Sequence, residues 1–542
     1  MIKVGVLLDS LSARKYLYET VKELAGKKNI ELFFLLNKVE KKEEQNSKNS
    51  ISKINSYFFT YMVKIESRII CLFSKDYCKK IKDHSSAYNI ESLCGNEILY
   101  LSPLFSKSGL AVTYSNEDIK SIKNLNLDLM IRGNASGIFK GDILHTSQIG
   151  IISFHHGDNT WNRGGPPAFW EVYLKKISTG FIIQVLTEDL DAGGVIYRGN
   201  ISTRPTYIQN LVSLYSESNP CLAKIITNYA NTNHFPTFEQ KIPFGSSLFV
   251  MPSWIQIIKY VMNNIIKASR FFLRRPGKKS SVKFLNSTWE KATLRKAIEM
   301  DPPNKRTFSN PFVITRNNKS ICFVEDYSDF NKKTSISAVE IKGKNYKILS
   351  SVIDESSSVS SPCIFEFENQ LYMTVNVLNS NVIKLYKSIH FPLVWKFEND
   401  IVLNKTLANV SIIKNENHWC LFGTLNVSDG IEHASKLMLY HTQNPLSNEW
   451  LEHERNPVVF DIQKVRHSGF LHHNENCIIR YSQNKSSTSQ KLVNLYQVNK
   501  LTPFEFKEGN IGTIFCEYFS NNGEYKNFHS NAHYTVFESQ RK

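Results

Sequence analysis

The stretch Gly150–Gly199 reads GIISFHHGDNTWNRGGPPAFWEVYLKKISTGFIIQVLTEDLDAGGVIYRG. Its apolar run Gly150–His155 ends abruptly in polar residues, as a buried strand does when it delivers a side chain to a sheet edge. Gly157–Pro167 is rich in Gly and Pro and reads as a loop. Phe169–Lys175 fits one or two helical turns, and Phe181–Leu186 is a second buried strand. That strand opens into Glu188, Asp189 and Asp191, followed by the turn pair Gly193-Gly194. If both strands run the same way in one sheet, His155 and Asp191 meet at one carboxyl edge, where open α/β sheets bind ligands. A histidine beside an aspartate is a general base whose partner fixes its tautomer and stabilises its charged form.

Working outward, Val4–Leu8, Ala13–Leu24 and Ile30–Leu36 make a βαβ unit, and Leu127–Ile131 is a further buried strand that leads through Gly133-Asn134 into a loop. No GxGxxG follows the first strand, so a dinucleotide fingerprint is absent. Val39–Ser52 reads as a charged linker. Beyond it, Ile54, Phe58, Tyr61, Ile65, Ile69 and Leu72 recur at helical spacing; core packing or a dimer interface is expected to cover that stripe. Pro205–Asn228 reads as a helix that covers the site. Ser253–Arg275 is a basic amphipathic helix, with Ile257, Ile258, Val261, Ile265 and Phe272 against Lys259, Lys267, Arg270, Arg274 and Arg275. Such a helix either contacts anionic lipid or packs its stripe on the domain, and packing is the expectation. Pro276–Ser281 reads as an interdomain linker, with the boundary at Pro276–Leu285.

At 542 residues the chain exceeds a single core, and about 150 residues per domain gives three or four units. The 66 Lys and Arg against 49 Asp and Glu leave a net charge of +17, which favours anionic ligands. The abundance of Lys, Asn and Ile also fits a compositional bias, the simpler source of that charge. Nine cysteines are scattered without a CxxC pair or a zinc-spaced cluster, an arrangement expected of reduced thiols in a cytoplasmic protein. The apolar run in MIKVGVLLDS is too short for a signal-peptide core, and no run of about 18 apolar residues suggests a spanning helix.

From about Phe308 onward short alternating segments recur: NPFVITRNNKSICFVEDY from Asn310, SPCIFEFENQLYMTVN from Ser361, LANVSIIKNENHWCLFGTL from Leu407 and VRHSGFLHHNENCIIRYS from Val465, with a partial fifth, FHSNAHYTVFES, from Phe528. Their spacing is that of propeller blades. Phe391–Trp395 and Pro445–Trp450, each a proline followed closely by tryptophan, recur between blades. This half resembles the arabinanase-like five-bladed propellers and the propeller in the N-terminal part of plant glucosamine inositolphosphorylceramide transferases. In the resembling hydrolases an Asp precedes the Pro-apolar run of the first blade; Asn310 stands there in this chain. Glu325 and Asp326 lie in that blade without an evident opposing acid. Glycan binding without hydrolysis is therefore the expectation, since cleavage needs two carboxylates.

Within the opening stretch, Ser153-Phe154-His155, Arg163-Gly164-Gly165-Pro166-Pro167 and Leu190-Asp191-Ala192-Gly193 resemble, in order and spacing, three motifs of the folate-dependent formyltransferases. These are Asn-x-His, Arg-Gly-x-x-Pro and Leu-Asp-x-Gly. Ser153 departs from the family's Asn. The resemblance implies an α/β doubly wound formyltransferase-like domain followed by an all-β five-bladed propeller, divided as residues 1–204, a helical extension and linker over 205–285, and the propeller over 286–542. It implies 10-formyltetrahydrofolate as formyl donor and the amine of a nucleotide-linked amino sugar as acceptor, in surface polysaccharide biosynthesis. The alternatives are a tRNA formyltransferase or a non-catalytic carbohydrate-binding protein. Catalytic roles fall to His155, Asp191 and Ser153. Arg163 binds substrate phosphate or carboxylate, or anchors its loop. Trp161 and Trp170 stack on a pterin or base, with core packing favoured for Trp170. Asn134 or Asn159 supplies the amide Ser153 lacks, or is an ordinary turn residue. His156 is a loop residue or supporting donor. No metal site and no nucleic-acid partner are expected; peripheral membrane contact and a homodimer are open.

Overall fold

The computed structural model describes residues 1–38, 50–107, 109–188, 193–240, 248–272, 280–425, 435–465, 467–474, 477–484, 492–515 and 524–540. The chain divides into two units, Met1–Arg274 and Arg275–Lys542, fewer than length alone suggests.

In the N-terminal unit, Val4, Val6, Leu7 and Leu8 are fully buried in the strand Ile2–Leu8, which explains the apolar run Val4–Leu8: a parallel strand is covered on both faces. It pairs in parallel with Ile30–Asn37 on one side and Leu129–Arg132 on the other. Leu99–Leu101 and Ile151–His155 extend this sheet in parallel. The five parallel strands thus lie in the order 3-2-1-4-5, whose direction reverses between Ile2–Leu8 and Leu129–Arg132. Ligands bind at the carboxyl ends of strands near such a switch point. Ser178–Val185 and Gly194–Ser202 complete the seven-stranded sheet as an antiparallel hairpin.

That hairpin corrects one expectation. Ser178–Val185 runs antiparallel to Ile151–His155, with His155 opposite Ile182 and Ile152 opposite Val185. The connecting segment holds only the five-residue helix Phe169–Tyr173. It does not carry the chain back across the sheet, so the next strand starts at the carboxyl edge. The strand therefore ends at Val185, opposite Ile152 and three residues along the sheet from His155, about 10 Å. Asp191 itself lies outside the described residues.

The helix Tyr207–Thr232 belongs to this unit. Its buried Asn210 donates to the carbonyl of Ala168 at 2.9 Å and to Thr179 Oγ1 at 2.8 Å. Among the described residues core packing does not cover the two expected stripes: Ile54, Phe58, Tyr61, Ile65, Ile69 and Leu72 in Ser50–Phe73 are exposed, as are Ile258, Val261 and Ile265 in Trp254–Phe272. The faces that pack inward are other rows, Phe59, Met62 and Ile70 of the first helix and Ile257 and Tyr260 of the second.

The C-terminal unit has a propeller-like sheet architecture. Four antiparallel sheets begin at Arg306–Arg316, Val359–Phe367, Leu407–Asn415 and His467–Asn474. A fifth joins Ser280–Leu285 and Ile298–Met300 to Thr535–Gln540 and Glu524–Ser530. Ser280–Leu285, expected as linker, is therefore a strand that ties the start of the unit to its end. The first strands neighbour one another in chain order, and Glu524–Ser530 neighbours both His467–Asn474 and Arg306–Arg316. The repeated segments seen in the sequence are the first hairpins of these sheets. Trp395 and Trp450 stand at the start of the fourth strands of the second and third sheets.

Candidate active site

His155 ends the fifth parallel strand at the carboxyl edge, and the chain after it folds back over its ring. The amides of Trp161 and Asn162 both donate to the carbonyl of Asp158, at 3.1 and 2.8 Å, and this turn leaves the Asn162 carbonyl 3.5 Å from His155 Nε2. The loop lies on the hairpin at Gly180, where an added Cβ would come within 2.6 Å of both Asp158 and Asn200. Arg198, opposite Ile182 in the hairpin, shares a cross-strand row with His155. Its guanidinium is paired with Asp158 and with Glu239 at 2.9 Å, and donates to Asn159 Oδ1 at 3.0 Å. Because Oδ1 is taken by a donor, the orientation of the Asn159 amide is fixed; its Nδ2 has no partner among the described residues.

Behind this loop sits a carboxylic acid that sequence reasoning missed. Glu171 is fully buried in the helix Phe169–Tyr173. Its Oε1 accepts from Nδ2 of the buried Asn162 at 2.7 Å, whereas Glu171 Oε2 and Asn162 Oδ1 have no hydrogen-bond partner among the described residues. Burial pushes the Glu171 carboxyl up to about 7, against the smaller pull of the Asn162 amide. The one available signal was a charged residue inside the apolar run Ala168–Tyr173.

The other expected residues fall as follows. Ser153 is buried within the sheet, and its hydroxyl donates to the carbonyl of Phe154 at 3.1 Å. Asn134 is saturated: its Oδ1 accepts from the amides of Asp9 and Ser10, at 2.9 and 3.4 Å, and its Nδ2 donates to the carbonyls of Ser10 and Ser12, at 2.8 and 3.2 Å. It ties the loop after the first strand to the loop after the fourth, a structural post at the switch point, so an amide replacing Ser153 is not to be found there. Arg163-Gly164 forms a short parallel pairing with Leu248–Phe249. Gly164 has φ +97°, and a Cβ would stand 2.1 Å from the carbonyl oxygen of Phe249, so only glycine fits. The half-buried Trp161 meets Phe249 edge-on at 5.9 Å and carries the Lys176 ammonium 4.9 Å over its ring. Trp170 is buried and donates to the carbonyls of Gly165 and Val250. His156 stacks on Tyr215 at 3.9 Å and on Phe154 at 5.2 Å; burial lowers its pKa to about 3, so it is a neutral packing group.

In the C-terminal unit a cavity of about 600 Å³ is lined by Asn310, Phe312, Ser361, Asn409, His529 and Asn531, among others. Its wall is a repeated device. The first strands of four sheets each carry a β-bulge, and Asn310, Ser361, Asn409 and Asn527 adopt left-handed φ of 45°, 55°, 53° and 53° within them. Three of the four are Asn, which tolerates that conformation. Two carboxylates lie behind the wall. Glu325 accepts from Ser309 Oγ, Asn310 Nδ2 and the Ser361 amide, at 2.9, 2.9 and 2.8 Å. Desolvation raises its pKa while these donors lower it. The buried Glu538 accepts from Asn527 Nδ2 at 2.7 Å and pairs with Lys526 at 2.9 Å. Asp326 is buried and paired with Arg306 at 2.9 Å. None of the three lines the cavity; Glu290 is the one acid among the described lining residues. Among the described residues no cluster of His, Cys, Asp and Glu is suited to a metal ion.

Residues 293–536 match the family described as glucosamine inositolphosphorylceramide transferase 1, N-terminal. Glucosamine inositolphosphorylceramide transferase 1 of Oryza sativa subsp. japonica is 28% identical over 169 residues, 31% of this chain and 22% of that protein. Methionyl-tRNA formyltransferase of Bacillus subtilis (strain 168) is 26% identical over 111 residues, 20% of this chain and 34% of that protein. A sugar N-formyltransferase from Shewanella sp FDAARGOS_354 superposes with a TM-score of 0.27 at 14% identity, covering 46% of this chain and 77% of that one. The chain thus spans between about a fifth and a third of the length of these two curated relatives, with one kind of similarity to a transferase domain and another to formyltransferases.

Proposed function

We propose that the N-terminal unit transfers a formyl group from 10-formyltetrahydrofolate to the amine of a nucleotide-linked amino sugar, in surface polysaccharide assembly. The observation that carries this reading is His155 at the carboxyl end of the fifth strand beside the switch point, overlaid by the loop that leads to Arg163-Gly164. The 111-residue match to a formyltransferase supports the chemistry. The C-terminal match to a protein named for glucosamine supports an amino-sugar acceptor.

In the reaction the acceptor nitrogen bonds to the formyl carbon, producing a tetrahedral centre with an oxyanion and an ammonium. His155 takes a proton from that ammonium, a role worth about 10²–10⁴ in rate. The centre then collapses as N10 of the tetrahydrofolate leaves and is protonated. Asn159 Nδ2, oriented by Arg198, is the amide donor for the oxyanion in place of Ser153. Asp191 is the carboxylate partner of His155, a role that rests on the motif resemblance. The C-terminal unit binds glycan without hydrolysis: among the described lining residues of its cavity Glu290 is the one acid, whereas cleavage uses two carboxylates.

The test is incubation of the full chain with labelled 10-formyltetrahydrofolate and a panel of amino-sugar nucleotides, with initiator methionyl-tRNA in parallel. Formylated sugar is expected. Formylated tRNA alone would establish the tRNA reading, and folate binding with no transfer to any acceptor would refute the enzyme.

A further inference from the structure

The helices Ser50–Phe73 and Trp254–Phe272 pack together in the N-terminal unit, where the Trp254 amide donates to Asn55 Oδ1 at 3.0 Å. Each is apolar on two sides. One side faces inward, and the other is open: Tyr57 is 73% exposed, Ile65 40% and Leu72 81%, with Ile255 at 60%, Ile258 at 48% and Ile265 at 58%. A helix apolar on two sides calls for a partner on both, and among the described residues nothing covers the outer one.

Charge identifies that partner. Among the described side chains the two helices expose Lys53, Lys64, Arg68, Lys259 and Lys267 against one acid, Glu66. Glu66 is turned inward, where it accepts from Tyr260 Oη at 2.7 Å, so the outer surface presents cations among apolar side chains. A two-fold pairing of copies through this face would set these cations against one another, which opposes association. An anionic bilayer removes the conflict: phosphate headgroups meet the cations while the apolar rows enter the acyl boundary. Trp254, Tyr57 and Tyr61 are aromatic residues of the kind that settle at the headgroup level. Among the described residues no helix is long and apolar enough to cross a membrane.

We propose that these two helices form a docking face that lies in the headgroup layer of an anionic membrane. The inference goes beyond formyl transfer and does not depend on it. The full chain is sedimented with vesicles of phosphatidylcholine alone and of phosphatidylcholine mixed with phosphatidylglycerol, at low and high salt. Binding to the mixed vesicles is expected to exceed binding to phosphatidylcholine at least tenfold and to weaken with salt. Ile65→Glu with Ile258→Glu, both at exposed positions, abolishes it, and each of Lys64→Gln and Lys259→Gln weakens it by about fivefold. If the double glutamate variant does not fold, the lysine variants carry the test. A wild-type chain that stays in the supernatant with mixed vesicles would overturn the proposal. So would a solution dimer that Ile65→Glu with Ile258→Glu converts to monomer, since a second copy would then own the face.

Discussion

Glu171 in the N-terminal unit accepts one side-chain hydrogen bond and keeps a buried oxygen without a partner, while Glu325 in the C-terminal unit is held by three donors within 2.9 Å. The two carboxyls belong to different kinds of structure. Around Glu325 the bulges of successive first strands bring donors to a fixed point, and the carboxylate is mortar in the wall of a cavity it does not line. Around Glu171 only Asn162 reaches the carboxyl, and both side chains are left with acceptors facing no donor. A buried acceptor without a donor costs about 1–3 kcal/mol. The pair teaches that equal burial does not mean equal satisfaction: one carboxyl is a built part of its wall, and the other is left under-satisfied behind the loop that follows His155.

The strongest way to break this contrast is His155→Asn. It should lower formyl transfer by about 10²–10⁴ while folate binding, read by equilibrium dialysis, stays intact. Undiminished turnover would move the active centre away from this edge. Next, Asn159→Ala should lower kcat by about 10²–10³, whereas Asn134→Ala should act on thermal stability, since Asn134 spends all its hydrogen bonds on two loops. Equal kinetic losses from both would remove the distinction between them.

In the other unit, Glu538→Ala leaves Lys526 and the Asn527 amide without their partner and should destabilise the propeller-like unit by about 3 kcal/mol, measured by denaturant unfolding, with no effect on formyl transfer. A kinetic defect in that variant would show that the two chemistries are coupled.

The smallest effect is a pH dependence. The Glu171 carboxyl is raised from 4.5 to about 7 in the folded chain, so the folded state holds its proton more tightly. Stability from this group is present below about 4.5 and is lost as pH rises through about 7, by up to about 3 kcal/mol. Glu171→Gln should remove that loss, so that variant and wild type converge at pH 5 and the variant is the more stable at pH 8. Melting must be compared at matched pH. His156 and His529 are both held near 3 by burial, and the stability they confer by staying neutral falls away between about 6.5 and 3 in both proteins alike.

Much of the architecture was legible because it depends on local periodicity. The apolar runs at Val4–Leu8 and Gly150–His155 announce buried strands. The recurring hairpins from Asn310 to Phe528 announce repeated blades. The direction of Ser178–Val185 was not legible: a strand's apolar pattern is the same read either way, and only the path of the preceding loop settles it. What covers the two amphipathic helices was not legible for a related reason. Periodicity shows that a stripe exists, but not whether another element is there to cover it.

By itself, then, the sequence determined the strand at His155 and the succession of short strands in the second half, because each is set by residues adjacent in the chain. Tertiary structure alone decided which amide stands ready at the edge. Asn134 and Asn159 are chemically identical, and one is spent on the carbonyls and amides of a loop more than 120 residues distant in sequence, while the other is held at one end by Arg198 of the hairpin. It also decided that Glu171 is a buried acid: its burial comes from a sheet, a helix and a loop that meet only when the chain has folded, and desolvation acts on what surrounds a group in space.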